Sequence, residues 1–109
     1  MSKRVKRRRV EYTQQFSDNA RMRHVHEMSR GIVTGFSVQF EAFFGGRWYP
    51  VVRYDSAHGF SHKDVYNVTG ESRKTELTMS YAEALTFADR DIGRRWQEYA
   101  SRFDKGEWP

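Results

Sequence analysis

Ile32-Val33-Thr34-Gly35-Phe36-Ser37-Val38-Gln39-Phe40-Glu41-Ala42-Phe43-Phe44 runs into Gly45-Gly46 and then into Arg47-Trp48-Tyr49-Pro50-Val51-Val52-Arg53-Tyr54-Asp55. In the first run Ile32, Thr34, Phe36, Val38, Phe40, Ala42 and Phe44 alternate with mostly small or polar residues, the period-two signature of a half-buried strand. The glycine pair can supply the positive φ angles of a tight hairpin and so delivers the chain into a second aromatic and β-branched run. Pro50 has no amide hydrogen to give to a ladder, so the second strand is expected to lie at an edge there or to be bulged.

Working outward, a third strand at about residues 61–68 and a fourth at about 73–79 flank the turn residues Thr69-Gly70-Glu71. A helix then opens at Ser80, whose hydroxyl and the Glu83 carboxylate have the spacing of a reciprocal capping box. Tyr81, Leu85, Ala88, Ile92, Trp96, Tyr99 and Phe103 recur at three- and four-residue spacing, with Arg90, Arg94 and Glu98 off that stripe and Gly106 as a stop. Upstream, residues 1–30 show no sustained period; a helix behind an N-cap at Ser17 or Asp18, carrying Ala20, Met22, His26 and Met28, is one reading of them. The expected fold is α+β: a four-stranded antiparallel meander packed against a long C-terminal helix. Residues 31–109 form the single domain and residues 1–30 a basic, partly flexible N-terminal arm.

A chain of 109 residues supports one core, and with aromatics at 16% much of that core must be Phe, Tyr and Trp. The absence of cysteine excludes a disulfide framework and thiolate zinc sites. No apolar stretch approaches the roughly 20 residues of a membrane span, and no apolar segment follows the basic start as in a signal peptide. A soluble, cytoplasmic protein with no membrane partner is therefore expected. The net charge of +5 is concentrated in Lys3, Arg4, Lys6, Arg7, Arg8 and Arg9, a cluster that would neutralise phosphates on RNA or DNA and would equally attract an acidic protein.

The richest chemistry lies in Arg53-Tyr54-Asp55-Ser56-Ala57-His58-Gly59-Phe60-Ser61-His62-Lys63-Asp64. Cleaving a phosphodiester without a metal takes a base, an acid and a cation for the phosphorane charge, which His58, His62 and Arg53 can supply, with Asp55 orienting an imidazole. The same residues also make a serviceable turn, since Asp55 and Ser56 favour turns and Gly59 accepts left-handed geometry. His58 and His62 with Asp55 or Asp64 match no metal motif in their spacing, so neither a metal nor another cofactor is expected. Phe43, Phe44, Trp48 and Tyr49 around the hairpin are secondary candidates for stacking on unpaired bases. No phosphate-cradling glycine loop or nucleophile elbow occurs.

This polar run, followed by a helix with Glu83-Ala84-Leu85 near its start, resembles a group of small prokaryotic proteins sharing an Arg-Tyr-Asp-x-Ala-His-Gly core. It is similar to the Tyr-Asp-x-Ala-His-Gly segment of TumE-type proteins, toxins of toxin–antitoxin pairs accompanied by a helix-turn-helix antitoxin. The resemblance covers about residues 31–103, and the basic N-terminus is longer than that group's. It implies a compact β-rich domain, a helix-turn-helix partner or other protein partner, and action on RNA through Arg53, Tyr54, Asp55, His58 and His62. The expectation is a toxin-like protein that binds or cleaves RNA. The alternative is a non-catalytic module that binds nucleic acid or inhibits another protein.

Overall fold

The computed structural model describes residues 6–109. Six strands, β1 (Arg7–Ser17), β2 (Ala20–Ser29), β3 (Ile32–Phe44), β4 (Arg47–Asp55), β5 (His62–Tyr66) and β6 (Ser72–Glu76), precede one helix, α1 (Tyr81–Asp104). The strands pair in chain order, each antiparallel to the next, so the sheet is a six-stranded meander. The α+β class and the C-terminal helix agree with the sequence reading; the strand count does not.

The two additional strands come from the stretch expected to be an arm. Ser17 and Ala20 close a tight hairpin, and Ala20, Met22 and His24 are buried as an alternating set, which the polar residues between them had masked. The helix considered behind Ser17 or Asp18 is therefore a strand: with the β3 ladder beside it, a period of two buries more apolar surface than a poor helical stripe would. Alternation in β3 holds from Phe36 to Ala42 but breaks at a bulge before Gly35, where Glu27 opposes Gly35 and Met28 opposes Val33. The extra residue flips the phase, so Val33 packs on the core while Ile32 is 66% exposed. Pro50 sits at a second bulge, with Phe40 opposite Val52 and Glu41 opposite Pro50, and it lies before the segment of β4 that pairs with β5.

Helix α1 lies across one face of the sheet. Its capping box forms as expected, with Glu83 N donating to Ser80 Oγ at 3.1 Å and Ser80 N donating to the Glu83 carboxylate at 3.2 Å. Ala84, Leu85, Ala88, Ile92, Tyr99 and Phe103 are buried against Met22, Phe36, Val38, Phe40, Val52 and Tyr54. Tyr81 meets Phe36 at one end and Phe103 meets Phe44 and Tyr49 at the other. The ends of β1 to β3 that carry Arg7 to Arg9, Glu27 to Ser29 and Ile32 consequently run past the start of the helix, and the molecule is 58 Å long. No helix among the described residues is long and apolar enough to cross a membrane.

Candidate functional site

Because side chains alternate across a strand, the face opposite α1 collects the residues that the core does not take. On β2 and β3 these are Arg21, Arg23, Ser37, Gln39 and Glu41; on β4 and β5 they are Arg53, Asp55, His62, Asp64 and Tyr66. Register places Asp55 opposite His62 and Arg53 opposite Asp64. His62 Nε2 lies 2.6 Å from Asp55 Oδ1 and 3.3 Å from Asp64 Oδ2, and the three side chains are 2%, 13% and 11% exposed. The other ring nitrogen, Nδ1, lies 3.3 Å from the Phe60 carbonyl oxygen, with the Phe60 ring packed 5.4 Å away between centroids.

A polar relay leads away from this cluster across the sheet. Arg53 Nε donates to Gln39 Oε1 at 2.7 Å, Gln39 Nε2 donates to Glu41, and Glu41 accepts from Arg21 Nε at 2.6 Å. Arg23, Val25, Ser37, Gln39 and Arg53 line a shallow pocket of about 190 Å³. Tyr66 belongs to the same neighbourhood: burial pushes its phenol up, Arg53 opposes that, and Asp64 and Asp55 add to it.

The sequence candidates divide across the two faces. Arg53, Asp55 and His62 come together. His58 stands on the exposed 3₁₀ turn Ala57–Gly59 at φ 69°, its ring 6.4 Å from that of His62. Asp55 serves the turn as well, accepting from Ala57 N at 3.0 Å. Tyr54 is not part of the cluster: it is fully buried on the helix side, where its hydroxyl donates to Asp91 at 2.6 Å. Burial, reinforced by that carboxylate, raises the Tyr54 phenol far above its ordinary value, as expected of a structural donor.

Of the basic cluster, Lys3 and Arg4 lie outside the described residues, while Lys6, Arg7, Arg8 and Arg9 are exposed on or beside the projecting end of β1. Arg9 pairs with Glu27 at 3.1 Å and Glu11 at 3.3 Å. Around the Gly45-Gly46 hairpin, Phe43 and Phe44 are partly exposed, but Phe43 packs on Trp48, and Phe44 packs on Tyr49 and Phe103. Gln39, Arg23 and Glu41 were missed by reading the sequence. The signal for Gln39 and Glu41 was the polar phase of the same β3 alternation; Arg23 was hidden in the stretch read as an arm.

Residues 5–108 match a protein family described as Domain of unknown function (DUF7718). The chain belongs to that family. The match spans the β1–β2 hairpin together with the rest of the sheet and the helix, so the family unit includes the stretch that the sequence reading had set apart. No curated protein matches the chain, and no solved structure matches it.

Proposed function

We propose that this protein binds RNA on the sheet face left bare by α1 and cleaves its phosphodiester backbone, the toxin-like activity implied by the resemblance of its Arg-Tyr-Asp-x-Ala-His-Gly core. The observation that carries the reading is the placement of Arg53 beside the Asp55–His62–Asp64 cluster on a face that also presents Arg21 and Arg23. Arg53 supplies charge for a non-bridging phosphate oxygen. His58, solvent-exposed beside the cluster, is placed to exchange a proton with a ribose hydroxyl or with the leaving oxygen. In the cleavage step the 2′-oxygen loses its proton and bonds to phosphorus, the bond to the 5′-oxygen breaks, and that oxygen takes up a proton. The exposed Lys6 to Arg9 segment adds sequence-independent, salt-sensitive affinity.

The non-catalytic alternative is favoured by one feature: His62 Nε2 is already engaged by two carboxylates and is almost wholly buried, so it offers no free nitrogen to a substrate. The test is to incubate labelled RNA with the wild-type protein, Arg53→Gln and His58→Gly at low and high salt, following binding and cleavage together. Glycine is the right replacement at position 58 because its backbone accepts φ 69° without strain. Cleavage lost in His58→Gly and Arg53→Gln, with binding retained in His58→Gly, supports the ribonuclease reading. Salt-sensitive binding without cleavage in all three leaves a binding module, and no binding to RNA at all refutes the proposal.

A further inference from the structure

The sheet has two edges, β1 and β6, and they are built differently. β6 is five residues long and carries Arg73, Lys74 and Glu76, the short, charged form that discourages further pairing. β1 is eleven residues long, pairs with β2 alone, and from Val10 to Gln14 has no lysine, no proline and no bulge. Alternate residues of that stretch turn their N–H and C=O groups away from β2, as the antiparallel ladder requires. We infer that this edge is an interface for a second copy of the chain, the two β1 strands pairing antiparallel about a two-fold axis at Tyr12.

Tyr12 sets both the partner and the register. Its ring stacks on that of His24, its neighbour across the ladder, with centroids 4.4 Å apart and planes 16° from parallel, yet the residue is 43% exposed. The hydroxyl, 3.1 Å from His24 Nδ1, fixes the ring in that position. Because β1 is the edge strand, the ring face turned away from His24 looks out over the open side of the sheet. Directly opposed side chains of an antiparallel pair share one face and stand about 5 Å apart. A two-fold at Tyr12 therefore sets the two phenol rings against each other and continues the stack from His24 of one copy to His24 of the other.

The charges agree with this register. Arg9 falls opposite Gln15 of the second copy, Glu11 opposite Thr13 and Val10 opposite Gln14, while Arg8 comes beside Phe16, whose ring is stacked on Trp96 at 5.2 Å. No like charges meet, whereas a parallel arrangement would set Arg7, Arg8 and Arg9 against the same three residues. An axis perpendicular to the sheet keeps both helices on one side. The polar faces carrying Arg21, Arg23 and Arg53 then join on the other side into one continuous surface.

The interface is tested without RNA, by sedimentation equilibrium of the full-length protein over a concentration series. The expected result is a monomer–dimer equilibrium. Tyr12→Lys, which places two ammonium groups against each other on the axis, should weaken dimerisation at least about ten-fold, with circular dichroism confirming that the variant is folded. Since the chain has no cysteine, Tyr12→Cys supplies one thiol per chain. On mild oxidation it should close a disulfide between two copies, whereas Lys74→Cys in the middle of β6 should not. A wild type that stays monomeric at every concentration overturns the inference, as do open-ended oligomers. So does a dimer of unchanged affinity in Tyr12→Lys, or a disulfide that forms as readily at Lys74→Cys as at Tyr12→Cys; this comparison decides the matter if Tyr12→Lys fails to fold.

Discussion

Asp91 accepts from two buried phenols, Tyr54 at 2.6 Å and Tyr99 at 2.5 Å, and faces Lys63 and Arg95. Burial works to raise this carboxyl, but the two phenol donors, with Lys63 and Arg95, outweigh it and hold Asp91 below the usual carboxylate range. Asp91→Ala leaves both hydroxyls buried without that acceptor and is expected to cost about 3 kcal/mol, against about 1 kcal/mol for Tyr54→Phe, measured by denaturant unfolding. Since the folded-state value is depressed, the Asp91 contribution is complete above the unfolded value of about 4 and is lost as pH falls through the lower folded value. The stability gap between wild type and Asp91→Asn should therefore narrow as unfolding is repeated from about pH 5 downward. Tyr54→Phe should also leave any RNA cleavage unchanged, because the ring lies on the helix side, away from Arg53 and His62. Tyr54 illustrates what a local motif conceals: adjacent residues in a strand serve opposite faces, so Arg53-Tyr54-Asp55 reads as one group in the chain and is two in space.

At the scale of elements, the features best legible in the sequence are those fixed by short-range geometry. The Ser80 and Glu83 capping box satisfies amide groups at the start of α1 within one turn, and Ser80→Ala is expected to lower stability by about 1 kcal/mol in thermal or chemical melts. Gly45 and Gly46 take φ 59° and 87° at the β3–β4 hairpin, and a side chain at Gly46 would meet nothing within 4 Å. Gly46→Ala should thus cost about 1 kcal/mol through the backbone alone. The register of the sheet was harder to read. The bulges beside Gly35 and Pro50 each insert one residue, and only the pairing partner determines on which strand the extra residue falls.

For the molecule as a whole, Arg7, Arg8 and Arg9 lie at the projecting end of a ribbon rather than on an independent tail. Their pairing with Ser29, Met28 and Glu27 holds these charges at fixed positions on the sheet. If the basic end meets RNA, the combined substitution Arg7→Gln, Arg8→Gln, Arg9→Gln should flatten the dependence of log K on log salt by about 0.7 for each single-strand phosphate contact removed. Folding stability should change little, because the ion pairs of Arg9 with Glu11 and Glu27 are solvent-exposed. A salt slope equal to the wild type's would remove this segment from the binding surface.

The alternation around Phe36 to Ala42, the glycine hairpin, the capping box and the helical stripe ending at Phe103 were all present in the sequence. Each follows from contacts or dihedral preferences within a few residues, and together they determined an antiparallel sheet closed by a C-terminal helix. The tertiary structure alone decided that residues 7–29 join that sheet, because their weak apolar alternation becomes a strand pair only against the ladder of β3. It alone separated Tyr54 from Arg53, and it alone set His62 between Asp55 and Asp64, since cross-strand register is a property of the paired backbones and not of spacing along either strand.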